Sequence, residues 1–262
     1  MGAAPAAPVV DVRRAGDRFA TRIDWLDSRH SFSFGRHFDP GNTHHGLLLV
    51  NNDDVVRPGA GFETHPHRDM EIVTWVLQGS LVHQDSTGHA GVIYPGLAQR
   101  MSAGTGILHS EKNDSWRLQG GPEHAEPVHF VQMWVAPDET GVRPSYQQLE
   151  IDDARLHGGL VPVASGRPAH ETTTAIRIGN RGAALHAARL RPGDAVTLPD
   201  APYLHLFVAR GAVELEGYGL LETGDAVRFT ATGGPACDRA EPLRAARVGD
   251  ALQPRRRAMI RG

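Results

Sequence analysis

The chain has 262 residues, a formal net charge of −3 and a hydrophobic content of 40%. This is enough apolar material for one large β domain or two small ones, and the charge excludes a broad polyanion-binding surface. A single cysteine, Cys237, excludes an intramolecular disulfide and favours a reducing, cytoplasmic setting.

The N-terminal Met1-Gly2-Ala3-Ala4-Pro5 has no basic segment ahead of an apolar core, so no signal peptide is expected. Glycine and proline, 30 and 18 of them, then punctuate the chain into strand-length runs. In order these are Gly46 to Val50, Glu71 to Leu77, Val128 to Val135, Leu204 to Ala209, Ala212 to Glu216 and Ala226 to Thr230. None approaches the length of a membrane span. Helical periodicity is scarce, and Leu185 to Leu190 is too short to argue from. Short strands at this spacing predict an all-β barrel or jelly roll. The cluster of Pro137, Gly141 and Pro144 in Ala136 to Tyr146 marks a boundary, giving domains 1–140 and 141–262. The terminal Arg255-Arg256-Arg257 reads as a solvated segment.

A weak repeat links the halves. Val76-Leu77-Gln78-Gly79 with the later Gly96 resembles Val208-Ala209-Arg210-Gly211 with the later Gly224. Each reads strand, glycine turn, strand, loop, marked turn, strand, which predicts two tandem barrels of one architecture.

The first half carries the chemistry. His65 and His67 stand two apart in a β-rich run, and His109 and Glu111 repeat the spacing. Side chains at i and i+2 share a face of a strand. Two such pairs on facing strands of a barrel would converge three imidazoles and one carboxylate, a donor set for a first-row divalent metal. With 15 histidines in the chain, one such pair could arise by chance; two beside glycine turns are harder to dismiss. In the second repeat the matching positions are Thr197, Pro199, Cys237 and Arg239, so that barrel is expected to be metal-free. His205 is expected to be a satisfied interior or surface histidine.

Three imidazoles and a carboxylate suit either a closed structural zinc or an open site with room for water, substrate or dioxygen. Phe32, Phe34, Trp75 and Met101 are candidate apolar walls, although Trp75 and Met101 also read as ordinary core. Gln132 is a candidate hydrogen-bond donor to the pocket. Glu71, four residues beyond His67, competes with Glu111 as ligand, orients an imidazole from behind, or is a surface charge. His83, His89 and His129 carry weaker signals.

The chain resembles the cupin superfamily. Its first motif is Gly59-x5-His65-x-His67-x3-Glu71-x7-Gly79, one residue long before the closing glycine. Its second is Gly106-x2-His109-x3-Asn113, with Gly104 where proline is usual. More narrowly it resembles the pirin family, and its bacterial quercetinase-like members above all. Ser31 to Gly35, Thr64 to Glu71, His83 to Gly88 and Met101 to Glu111 carry the likeness, which fades after Tyr146. The resemblance implies a bicupin whose second barrel is degenerate, with one metal per chain on His65, His67, His109 and Glu111. It prefers Glu111 over Glu71. Iron(II) is the first expectation, with manganese, nickel, copper, cobalt and zinc as alternatives.

The resemblance implies one of two functions. The first is quercetin 2,3-dioxygenase activity on a flavonol and dioxygen, with Glu111 as ligand and as acceptor of the 3-hydroxyl proton. Carbon monoxide leaves and a depside remains. The second is a metal-containing regulatory protein that meets a protein partner without turnover. Neither reading involves direct nucleic-acid contact or a membrane.

Overall fold

The computed structural model describes residues 9–230 and the short strand Arg244–Ala245. Cys237, Arg239, the Arg255 to Arg257 run and the extreme N-terminus lie outside the described residues. The chain is nearly all β and forms a bicupin, as the repeat and the resemblance led us to expect.

Two antiparallel sheets wall the first barrel. The smaller has four strands in the order Gly61–His67, Ile107–Lys112, Leu81–Asp85, Ala90–Ile93. The larger has seven, in the order Ser145–Glu150, Leu97–Ser102, Glu71–Gln78, Val128–Val135, Leu48–Val56, Leu26–His30, Phe19–Arg22. One end of the barrel is closed by apolar packing between the sheets. Val56, Val76, Val128 and Phe130 from the larger meet Leu81 and Ile93 from the smaller. Fully burying each such side chain contributes roughly 1.5–3 kcal/mol.

The second barrel pairs Val9–Arg13, Ala226–Thr230 and Tyr203–Phe207 in one sheet. Val196–Thr197, Arg244–Ala245, Ala212–Leu215 and Gly219–Glu222 form another. Val208, Leu215, Leu221, Val227 and Phe229 fill its interior. A third small sheet, Val161–Ser165 with Ile176–Arg177 and Ala184–Ala187, lies on the outer face of the large sheet. There Val163, Ala164 and Ile176 pack on Val73 and Ala98.

Strand pairing does not follow a single cut at residue 140. Val9–Arg13 crosses to pair with Ala226–Thr230, and Ser145–Glu150 pairs back onto Leu97–Ser102. Each crossing covers a sheet edge that would otherwise leave backbone groups unpaired. The run expected at Gly46 to Val50 starts at Leu48 and continues to Val56. Its second half hid behind Asn51, Asn52, Asp53 and Asp54, of which Asn51, Asn52 and Asp54 are buried.

Candidate metal centre

The small sheet positions the histidines. On Ile107–Lys112, Ile107, His109 and Glu111 are buried while the residues between them are more exposed. Pairing places His109 opposite His65 on one side and opposite Asp85 on the other. Glu111 sits opposite His83. The two spaced pairs therefore lie on adjacent, hydrogen-bonded strands, not on strands facing across the barrel. A bulge between His109 and Glu111 shifts the register against the His65 strand. Gly61 allows the close approach there, since a Cβ at that position would collide with the Glu111 carbonyl oxygen. Gly104, where the cupin pattern favours proline, takes φ +46°, and a Cβ there would strike the backbone of Val142.

The result is two overlapping groups of candidate donors. His65, His67 and His109 form one, with ligand atoms within 4.8 Å of one another; His83, His109 and Glu111 form the other within the same limit. Glu111 thus joins the cluster through His109.

Hydrogen bonding assigns the protons. Asp85 Oδ2 lies 3.2 Å from His83 Nε2, so that nitrogen carries the proton and His83 Nδ1 keeps its lone pair. His109 Nδ1, 3.4 Å away, then donates to His83, which leaves His109 Nε2 bare. His65 Nδ1 donates to the Glu63 carbonyl oxygen at 2.7 Å, which leaves His65 Nε2 bare as well. The two bare nitrogens face each other at 3.1 Å. His67 Nε2 is buried without a partner among the described residues. Lone pairs gathered in this way repel unless a cation lies among them, so the donor set fits a divalent metal. Both supports, a backbone carbonyl and a carboxylate reached through a second imidazole, are of the kind that orient metal-binding histidines.

The electrostatics agree. Burial, followed by His109 and His65, pushes His67 down to about 4. Burial, followed by His65 and His83, pushes His109 down to about 3. Burial opposes ionisation of Asp85, but hydrogen bonds from Thr87 and His83 and from backbone amides hold it down at about 2. The His67 and His109 imidazoles are therefore neutral and the Asp85 carboxylate charged at neutral pH.

The large sheet faces this cluster with an inward polar row, His30, Asn52, Gln132, Thr74 and Gln99, neighbours across five strands. Gln132 donates to both oxygens of Glu111, at 3.0 and 2.8 Å, and Thr74 Oγ1 donates at 3.3 Å. Trp134 Nε1 donates to Gln132 Oε1 at 3.0 Å, which fixes the amide with its nitrogen toward Glu111. Trp134 also meets the His67 ring edge-on, with centroids 4.9 Å apart.

The expected pocket residues divide. Gln132 reaches the site as the partner of Glu111. Met101 packs with Ile72, Ile107 and Trp134 beside it. Phe34 touches Trp134 at 5.6 Å, one ring removed from His67. Trp75 is not in the site: alternation turns it outward into the core under the third sheet, while Thr74 faces in. Phe32 is buried against Arg228 and His205 from the second barrel. Glu71 also points outward, accepting from Ser102 Oγ at 2.8 Å and Gly179 N at 3.0 Å. The turn after His67, with Asp69 at φ 47°, breaks the regular alternation on which its candidacy depended. His89 stacks on Tyr146 near the surface, and His129 bonds Asp53 at 2.5 Å. Among the described residues His205 is not satisfied, since its Nε2 is buried with no partner there. The residues missed in the sequence are Trp134, Thr74 and Asp85, the partner of the weakly signalled His83. The spacing of His83 and Asp85, a third i, i+2 pair, was the available signal.

A cleft of about 460 Å³ opens beside the cluster, lined by Pro66, His67, Arg68, Ser86 and Thr105 to Leu108. No helix among the described residues is long and apolar enough to cross a membrane.

Comparisons with known proteins point to one family. The family model described as Pirin matches residues 11–135. A Mycobacterium tuberculosis protein named "Putative quercetin 2,3-dioxygenase" is 66% identical over 221 residues, covering 84% of this chain and 86% of its own. The quercetin 2,3-dioxygenase of Escherichia coli K12 is 44% identical over 144 residues, 55% of this chain and 59% of its own. The crystal structure of the E. coli bacterial pirin YhhW in complex with nickel(II) matches with a TM-score of 0.76 at 32% identity, covering 92% of this chain and 95% of that one.

Proposed function

The chain belongs to the pirin family, and from that premise we propose that it is a metal-dependent dioxygenase that cleaves a flavonol such as quercetin. The observation that carries the reading is the convergence of bare imidazole nitrogens from His65, His67 and His109 beside an open cleft. The names of the relatives supply the substrate class.

In this reading His65, His67 and His109 hold the metal, with Glu111 as the fourth ligand. When bound, a divalent metal supplies Lewis acidity that favours the deprotonated form of a coordinated hydroxyl. The other steps fall to the chain itself. Glu111 takes the proton of the flavonol 3-hydroxyl at a carboxylate oxygen. Gln132, held by Trp134, keeps that carboxylate aimed by donating to both of its oxygens. Asp85 acts through His83 to keep the bare nitrogen of His109 toward the cluster. Over the whole reaction both atoms of dioxygen enter the product, one ring carbon leaves as carbon monoxide, and a depside is formed.

The second reading is a metal-containing regulatory protein without turnover. One observation favours it: Glu111 is only 3% exposed and does not line the cleft. The experiment is oxygen uptake and loss of flavonol absorbance, with metal content measured on the same samples. Iron, manganese, nickel, copper and cobalt are loaded separately. Turnover above that of free metal supports the oxygenase. Full metal loading with no turnover for any of the five moves the assignment to the regulatory reading.

A further inference from the structure

We propose that the seam between the two barrels is a second binding site, for a small hydroxyl-bearing oxyanion of the phosphate or carboxylate class. A cavity of about 230 Å³ lies there. It shares no lining residue with the cleft beside the histidines. It exists because Val9–Arg13 crosses to pair with Ala226–Thr230, which brings Arg13 and Arg228 against Ser31 and Asn42 of the first barrel.

Arg228 is the central observation. It is 7% exposed and has no carboxylate within ion-pairing distance among the described residues. Its Nη2 donates to the Ser31 carbonyl oxygen at 2.6 Å, and its guanidinium lies 4.5 Å from the centroid of the Phe32 ring. Among the described residues its Nε is buried without a partner. An unpaired buried charge is costly, so a counter-ion from solution would gain most here. Arg18, 8% exposed, lines the same cavity and also has a buried Nε with no partner among the described residues. Its nearest carboxylate, Asp53 at 3.3 Å, is shared with His129. Burial lowers the pKa of both arginines, the direction expected where a cation lacks full compensation.

Asn42 defines the ligand further. It is 8% exposed; its Nδ2 donates to the Ser31 carbonyl oxygen, and among the described residues its Oδ1 is buried without a partner. Two guanidinium donors and one amide acceptor match an oxyanion that also presents a hydroxyl. Asp17 and Asp39 line the cavity too, against Arg13, Arg18 and Arg228. Arg13 is occupied by Asp11 at 2.7 Å. The His30 ring nitrogens are taken by Asn52 and Thr21, both at 2.9 Å, so His30 adds no free donor.

The test is thermal unfolding and titration calorimetry with sodium phosphate and, separately, sodium malate, against chloride at equal ionic strength. One of the two anions should raise Tm by roughly 5–10 °C at a hundred times its Kd, and chloride should not. The anion that acts decides between phosphate and carboxylate. A His65→Ala/His109→Ala variant should respond like the wild type, because the site lies away from the histidines. Arg228→Gln should weaken the response at least tenfold in affinity. Should Arg228→Gln fail to fold, Asn42→Asp decides, because it sets a carboxylate in the cavity and should abolish the response. The proposal is overturned if neither anion exceeds chloride, if the response disappears in the histidine double variant, or if Asn42→Asp binds like the wild type.

Discussion

In the first barrel the strands carry His30, Asn52, Gln132, Thr74 and Gln99 inward from one sheet, and His65, His109, Glu111 and His83 from the other. In the second barrel the interior is Val208, Leu215, Leu221, Val227 and Phe229, with Val10, Val12 and Leu206 packed around them. Thr197, the partner of His65 by repeat position, is exposed at the end of a two-residue strand. The same scaffold is thus filled with apolar side chains in one copy and lined with candidate metal donors in the other. A barrel accepts a polar interior only where the polar atoms find partners. In the first barrel Gln132 and Thr74 serve Glu111, Asp85 serves His83, and the nitrogens left over are those that a cation would take.

The contrast is broken most severely at Glu111. Glu111→Gln should lower flavonol turnover by about 10²–10⁴-fold, since the amide cannot take a proton. Metal content should fall much less, and activity that survives in proportion to bound metal would remove the proposed base. His65→Ala/His109→Ala should lose both metal and activity above the level of free metal. The second barrel should behave in the opposite way. Leu221→Ala opens a cavity in an apolar core and should cost about 2–5 kcal/mol in stability, with one metal per chain retained. Urea unfolding and elemental analysis on the same preparation check this, and metal loss at native pH would contradict it.

A smaller effect tests the support behind His109. Asp85→Asn removes the charge that fixes the His83 proton and should weaken metal affinity by about 10–100-fold. Competition with a chromophoric chelator measures it; unchanged affinity would detach Asp85 from the centre.

The smallest effect concerns Asp54, which burial, despite its bond from Ser28, pushes up to about 7. Its folded pKa lies above the unfolded value of 3.8, so its contribution to stability is full below that value and is lost as pH rises toward 7. Asp54→Asn cannot titrate. The variant should therefore gain on the wild type between pH 5 and pH 8 in urea midpoint, and an equal difference at both pH values would refute the shift.

The all-β class, the two-barrel repeat, the histidine pairs and the strands Val128–Val135 and Ala226–Thr230 were legible in the sequence. Each rests on local rules: glycine-marked turns, apolar runs, and a two-residue period that puts His65 with His67 and His109 with Glu111 on shared faces. Register and inter-sheet distance were not legible, because they depend on residues far apart in the chain. Only the tertiary structure decided that the two histidine-bearing strands are neighbours, that Trp75 and Glu71 face away, and that Gln132, held by Trp134, converges with Thr74 on Glu111. It likewise decided that Val9–Arg13 belongs to the other barrel, because an edge strand takes the partner that best covers its unpaired backbone, and no local pattern names that partner.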